Sequence, residues 1–328
     1  MSNLDRTPDL TRCGGRADTA TTPVHELFAG KEVLLGESTR VRRLLPNLGR
    51  RLVGPWCFVD HYGPDDVATG PGMQVPPHPH MGLQTVSWLL SGAVHHRDSL
   101  GSDRLIGPGE LGLMTSGAGI THAEQSPVPH PAQLHGVQLW VALPEADRNG
   151  PPGWEHHGAL PVVTDTGMTA KVIMGSLAGA TSPGRAYSPI IGVDVALSAG
   201  ADALLPLEPD FEHAVLSMSG YVDVDGVAVS PGSMLYLGCG RRDLRIRSEP
   251  GARALLLGGE PFSEQIVMWW NFVGRSSAEI AAARDGWMTG ERFGVVGGYE
   301  GDPLPAPPLP PGRLKPGGSV RRPGGEET

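Results

Sequence analysis

The residues best equipped for chemistry lie between Val75 and Glu124. Pro77-His78-Pro79-His80 opens this stretch and Thr121-His122-Ala123-Glu124 closes it. Side chains alternate faces along a β-strand, so His78 and His80 share one face, as do His122 and Glu124. Two such pairs on neighbouring strands can bring three imidazoles and one carboxylate to a single point. Imidazole suits Fe, Cu, Ni or Zn, and a hard carboxylate turns the set away from thiol-loving sites. A His-rich set with open positions is the arrangement of a reactive metal rather than a closed structural one. One His-x-His pair alone would describe two ordinary histidines equally well. The second pair is what favours a metal.

The elements that must position these groups read as short antiparallel strands. Leu83 to Leu90 is rich in strand formers, and Gly92, Gly101, Gly107-Pro108-Gly109 and Gly112 supply turns at the required spacing. The whole chain agrees with this. Its 328 residues include 47 glycines and 32 prolines with 19% charged residues, the balance of a turn-rich β protein long enough for two domains. A formal charge of −9 argues against a broad nucleic-acid surface, and direct DNA contact is not expected. Cys13, Cys57 and Cys239 form no Cys-x-x-Cys pair and no disulfide framework, as suits a reducing compartment. No apolar run is long enough to cross a bilayer and Met1 to Thr22 is polar, so the expected location is cytoplasmic, away from membranes.

The fold class expected is all-β, with two β-barrels or sandwiches in tandem and a short C-terminal helix. Residues 1–24 read as a disordered N-terminal extension, 25–150 as a metal-binding domain, 151–300 as a second β domain without a metal site, and 301–328 as a Pro/Gly-rich tail. The halves look like a degenerate repeat: Val229 to Leu237 echoes Leu105 to Leu113, but Phe211-Glu212-His213 replaces His-Pro-His. Glu212 and His213 are adjacent, so they cannot face one cavity together. Ser276-Ser277-Ala278-Glu279 is a capping-box pattern and predicts a helix near 278–288.

Other polar residues carry weaker signals. Arg40, Arg42, Arg43, Arg50 and Arg51 read as a solvated strand face rather than an anion site. His61 lacks a same-face partner and reads as structural. Gln138 and Trp140 share one face of the strand Leu134 to Pro144, while Val137 and Leu139 share the other, and either face could line the pocket. His96 and Asp98 read as a turn-stabilising pair, with an outer-shell role as the alternative. His130, His135, His156 and His157 fall in Pro- and Gly-rich loops and suggest no role.

The metal segment resembles the pirin family of the cupin superfamily. The match is carried by His78-Pro79-His80-Met81-Gly82, Gln84-Thr85-Val86, His96-Arg97-Asp98-Ser99, Gly117-Ala118-Gly119-Ile120 and His122-Ala123-Glu124, and extends from about Val33 to Tyr299. The resemblance implies a bicupin, two cupin-type barrels in tandem, with His78, His80, His122 and Glu124 as ligands to one divalent transition metal. Fe(II) is the ion expected from the family, although the same donors accept others. It places Gln84 where many other cupins carry a glutamate ligand. It also implies a C-terminal segment packed across the first barrel.

Two functions follow from that resemblance. One is a metal-dependent dioxygenase, such as a flavonol (quercetin) 2,3-dioxygenase, opening the central ring with release of carbon monoxide. Its partner would be a small flavonol-like aromatic, and Glu124, the acidic ligand, would be the catalytic base. The alternative is a non-enzymatic, metal-containing regulator that binds a transcription factor or a metabolic enzyme.

Overall fold

The computed structural model describes residues 3–15, 21–35 and 39–310. Almost all of its regular structure is β. In the first half a seven-stranded sheet runs in the order Gly153–His157, Leu111–Thr115, Leu83–Ser91, Gln133–Ala142, Trp56–Asp66, Thr39–Leu45 and Lys31–Leu35. A four-stranded sheet faces it, ordered Gln74–His80, Ile120–Gln125, Val94–Asp98 and Asp103–Ile106. The second half repeats the plan, pairing a large sheet centred on Ile190–Leu197, Ala252–Gly259 and Glu212–Ser219 with a small one of Ala201–Pro206, Asp243–Ser248, Val222–Val224 and Val227–Val229. These are two cupin domains.

The large sheets meet back to back, and strand alternation decides which residues go where. Val137, Leu139 and Val141 join Val86 and Trp88 against Ala214, Leu216, Met218, Leu255 and Leu257 in one core cluster shared by both halves. The opposite face of the same strands, with Ser87, Gln138 and Trp140, is thereby turned into the first barrel. In the second barrel the corresponding interior is closed by Val215, Leu235, Leu237, Leu256 and their neighbours. Polar groups stitch the shared core. Trp56 Nε1 donates to the carbonyls of Ile191 and Gly258, each at 3.1 Å. Trp88 Nε1 donates at 2.9 Å to Asp194 Oδ2, whose carboxylate is also gripped by Arg253.

The chain crosses the boundary expected at residue 150 in both directions. Glu26–Ala29 pairs with Ser233–Gly238 of the second domain, while Gly153–His157 completes the first domain's large sheet beside Leu111–Thr115. Exchanged edge strands cover sheet edges that would otherwise stay open. The stretch expected as a loose extension also contributes order: Thr11–Cys13 pairs with Ile266–Trp269 in a small sheet completed by Phe272–Gly274. Cys13 is buried there although its sequence neighbours are polar.

The helix spans Ser277–Met288, with Ser276 as N-cap accepting from the Glu279 amide at 3.2 Å. Only half of a capping box forms. The Glu279 carboxylate instead accepts from the Arg275 amide at 2.9 Å and pairs with Arg148. This C-terminal part clamps the two ligand-bearing strands. Val273 N donates to Met81 O at 2.9 Å, and Thr121 Oγ1 donates to Phe293 O at 3.0 Å. Gly82 has φ +74°, and a Cβ there would lie 2.0 Å from Val273 O, so glycine is required where the clamp closes. Part of the expected tail is ordered as well: Leu304 N donates to Pro77 O, and Trp287 Nε1 to Leu304 O. Residues 311–328 lie outside the described residues.

Because one core serves both barrels, the domains should unfold together. Asp194→Ala strands the buried Trp88 indole N–H and frees Arg253, which already reaches solvent. We expect a loss of about 2 kcal/mol in urea denaturation with a single transition retained. A loss below about 0.5 kcal/mol, or two separate transitions, would contradict the shared-core account.

Candidate metal centre

The ligand strands are neighbours, and their register sets His122 directly opposite His78. Ligand atoms of His78, His80 and His122 all lie within 4.8 Å of one another, and all three residues are buried. Glu124 follows on the same strand, also buried, but its carboxylate is not part of that three-residue group. A register shift between His122 and Glu124 sets the glutamate opposite Val75. Its Oε1 accepts from Ser87 Oγ at 3.0 Å. That same hydroxyl lies 3.1 Å from Gln138 Oε1, and its single proton favours the carboxylate as the stronger acceptor.

Hydrogen bonds orient the rings. His78 Nδ1 donates to Pro76 O at 2.7 Å, which leaves Nε2 as the lone-pair nitrogen. His122 is oriented from further away. Asp98 Oδ2 lies 3.1 Å from His96 Nε2, and His96 Nδ1 lies 3.4 Å from His122 Nδ1. With His96 Nε2–H donating to the Asp98 carboxylate, His96 Nδ1 is the acceptor for His122 Nδ1–H. His122 Nε2 then keeps its lone pair, and this buried atom has no hydrogen-bond partner among the described residues. A buried nitrogen in that state fits a metal ligand. Burial lowers His78 to about 4 and holds His80 and His122 well below the usual histidine value, so at neutral pH all three are uncharged, as ligation requires.

His96 is therefore more than a turn residue. It stacks on Trp154 at 3.7 Å with rings 5° apart, while Asp98 also accepts from the Leu100 and Ser102 amides. The pair thus holds its turn and also contacts His122, and the alternating burial of Val94–Asp98 points His96 and Asp98 inward. Gln84 faces the other way. It shares the interface face of its strand with Val86 and Trp88, and its Nε2 donates to Thr115 Oγ1 and to Arg185 O, each at 3.0 Å. His61 has a partner after all: its Nε2 lies 2.9 Å from Nε2 of His135, which sits on the strand Gln133–Ala142 rather than in a loop.

Two of the arginines expected on a solvated strand face are held by specific partners instead. Arg43 is turned inward, donating from Nε and Nη2 to the buried Asp60 carboxylate at 2.9 and 2.8 Å. Arg50 lies over the Tyr236 ring and pairs with Glu26. Trp140 stacks on Phe58 at 4.0 Å and meets the His80 ring edge-on at 5.2 Å. These contacts place Trp140 in both the core and the pocket wall. Trp140, Phe58 and Arg43 also line a cavity of about 840 Å³, whose lining includes none of the three histidines.

Residues 38–141 match the family model described as Pirin, and residues 192–294 match that of the Pirin C-terminal cupin domain. Similarity to a Caulobacter vibrioides pirin-like protein extends over 259 residues at 38% identity, covering 76% of this chain and 88% of the relative. The chain belongs to the pirin family. A Pseudomonas aeruginosa pirin homologue named "Putative quercetin 2,3-dioxygenase PA1205" is 45% identical over 313 residues, covering 94% of this chain and 98% of that protein. Among solved structures, a quercetin 2,3-dioxygenase from Acinetobacter baumannii superposes with a TM-score of 0.85 at 39% identity, covering 88% of this chain and 97% of the other. This pirin thus shares its whole two-domain plan with these relatives.

His96→Phe keeps a ring to stack on Trp154 but removes the acceptor for His122. We expect it to weaken the triad's hold on a divalent transition ion about 10- to 100-fold, measured by competition with a chromophoric chelator. An unchanged dissociation constant would reduce His96 to packing.

Proposed function

We propose that this pirin is a dioxygenase acting on a flavonol such as quercetin, with His78, His80, His122 and Glu124 holding one Fe(II) ion. The observation that supports it most is the buried cluster of three neutral imidazoles, with a carboxylate on the same strand face. The names carried by the Pseudomonas and Acinetobacter relatives point to the same substrate class. When bound, a divalent iron supplies Lewis acidity toward a substrate oxygen and redox access to dioxygen.

The protein's own residues do the rest. Glu124 accepts the proton of the flavonol 3-hydroxyl, so the substrate reacts as its enolate. Ser87, bonded to Glu124 Oε1, fixes the direction from which the carboxylate meets that proton. Trp140 meets the His80 ring edge-on and packs among apolar side chains, which holds that ring in place. In the reaction the central ring opens, dioxygen is incorporated, and one ring carbon leaves as carbon monoxide.

The test is quercetin loss and oxygen uptake by protein reconstituted anaerobically with Fe(II), beside Glu124→Gln shown to hold the same amount of metal. We expect iron-dependent turnover that falls by about 10²-fold or more in the variant. Metal-free protein degrading quercetin as fast as the loaded form would overturn the reading.

A further inference from the structure

The triad is sealed off from solvent. His78, His80 and His122 are each at most 1% exposed, so an ion or a substrate needs an opening that this arrangement keeps shut. Part of the closure comes from the N-terminal segment. Leu4 packs against a cluster drawn from both sheets of the first barrel: Tyr62, Leu89 and Leu134 of the large sheet, and Val75, Val94 and Ile106 of the small one. A side chain packed on that cluster is inserted between the two layers. Val75 in turn stands opposite Glu124 in the strand register.

The segment is tied to the site at one point. Asn3 N donates at 2.9 Å to Oδ1 of Asn271, a fully buried residue. The Asn271 backbone is hydrogen-bonded to His80, and the next residue, Phe272, bridges to Met81 beside His80. Elsewhere the segment is held lightly. Arg43 Nη1 reaches the Asn3 side chain at 3.3 Å, and the Asp5 and Thr7 amides bond to side chains of the segment itself. Arg6, Thr7 and Asp9 are exposed. Asn3, Asp5, Pro8, Asp9 and Leu10 wall the cavity of about 840 Å³, so these residues bridge a space instead of lying on a packed surface. Groups facing a void forfeit dispersion contacts, and a segment with few buried contacts opens at low cost. Beyond Leu10 the chain is pinned, because Thr11–Cys13 pairs with Ile266–Trp269.

We propose that residues 3–10 are the gate of the first barrel, with Leu4 as its plug and the Thr11–Cys13 strand as its fixed end. The segment swings out to let an ion or an organic substrate pass between the sheets, and returns to exclude water. This rests on the triad as the ion's site and goes beyond the flavonol reading, since any substrate reaching that site needs the same opening. Leu4 offers the ion no donor. The gate therefore sets the rates of entry and exit and leaves the affinity unchanged.

The test follows Co(II) by its visible absorption as it enters metal-free full-length protein, and as it leaves the loaded protein to excess chelator. Leu4→Ser should speed entry and exit alike by about tenfold, the effect of losing one partly buried leucine, with the dissociation constant held within about twofold. Leu4→Met, which refills the same space, should stay near wild type. Wild-type rates in Leu4→Ser would overturn the gate. So would a faster exit matched by an equal loss of affinity, which would make Leu4 a support for the ligands. Hydrogen exchange in the wild type is a check that needs no variant. The Asn3 amide should be protected, but about tenfold or more less than the amides of Ile120–Gln125. No protection would show that the segment does not close, equal protection that it does not open, and either would sink the proposal. Gated cobalt entry in a protein that leaves quercetin intact would keep the gate and remove the dioxygenase reading. Protein that takes up no cobalt would remove both.

Discussion

Taking three imidazoles and a carboxylate out of water is the constraint to which the rest of the first barrel answers. A buried polar atom without a partner costs about 1–3 kcal/mol, and a buried charge costs more. His78, His122 and Glu124 are therefore each steadied by a neighbour whose own place is fixed. His78 is tied to the Pro76 carbonyl, His122 to His96 and through it to Asp98, and Glu124 to Ser87. These partners come from three different strands. The exposed cost that remains is concentrated at atoms such as His122 Nε2, where an ion would remove it.

Such a set can be placed only if the other face of the same strands is apolar. The back-to-back packing of the two large sheets supplies that condition. Val86 and Trp88 must point into the shared core, so Ser87 between them must point at Glu124. The same rule sends Gln84 to the interface. Among the described residues the second domain adds nothing to the histidine group, yet its packing fixes which side chains of the first domain face that group. The C-terminal clamp works at the other sheet, holding Met81, Pro77 and Thr121 beside the ligands with backbone and hydroxyl bonds. Rigid support on both sides is what a precise ligand geometry needs.

Much of this is legible in residue order because period-two patterns are local. His78 and His80 share a face whatever the rest of the chain does, and the split of Val137 and Leu139 from Gln138 and Trp140 follows from the same rule. Which face is the pocket does not follow, since that depends on the partner sheet. The partners that tie down the site are long-range, and so harder to see. Asp60 meets Arg43 across two strands, and His135 meets His61 across a separation of 74 residues. The exchanged strands Glu26–Ala29 and Gly153–His157 are invisible for the same reason: each is short, and each belongs to a sheet formed mainly by the other half. Family resemblance carried the ligand set and the two-barrel plan further than pattern alone.

The measurement that bears most directly on this account is a crystal structure of the Fe(II)-loaded protein with anomalous data at the iron edge. The account predicts one strong peak inside the first barrel, at about 2.0–2.2 Å from a ring nitrogen of His78, His80 and His122 and from one Glu124 oxygen. A peak elsewhere, or an ion bound by the histidines without Glu124, would contradict it.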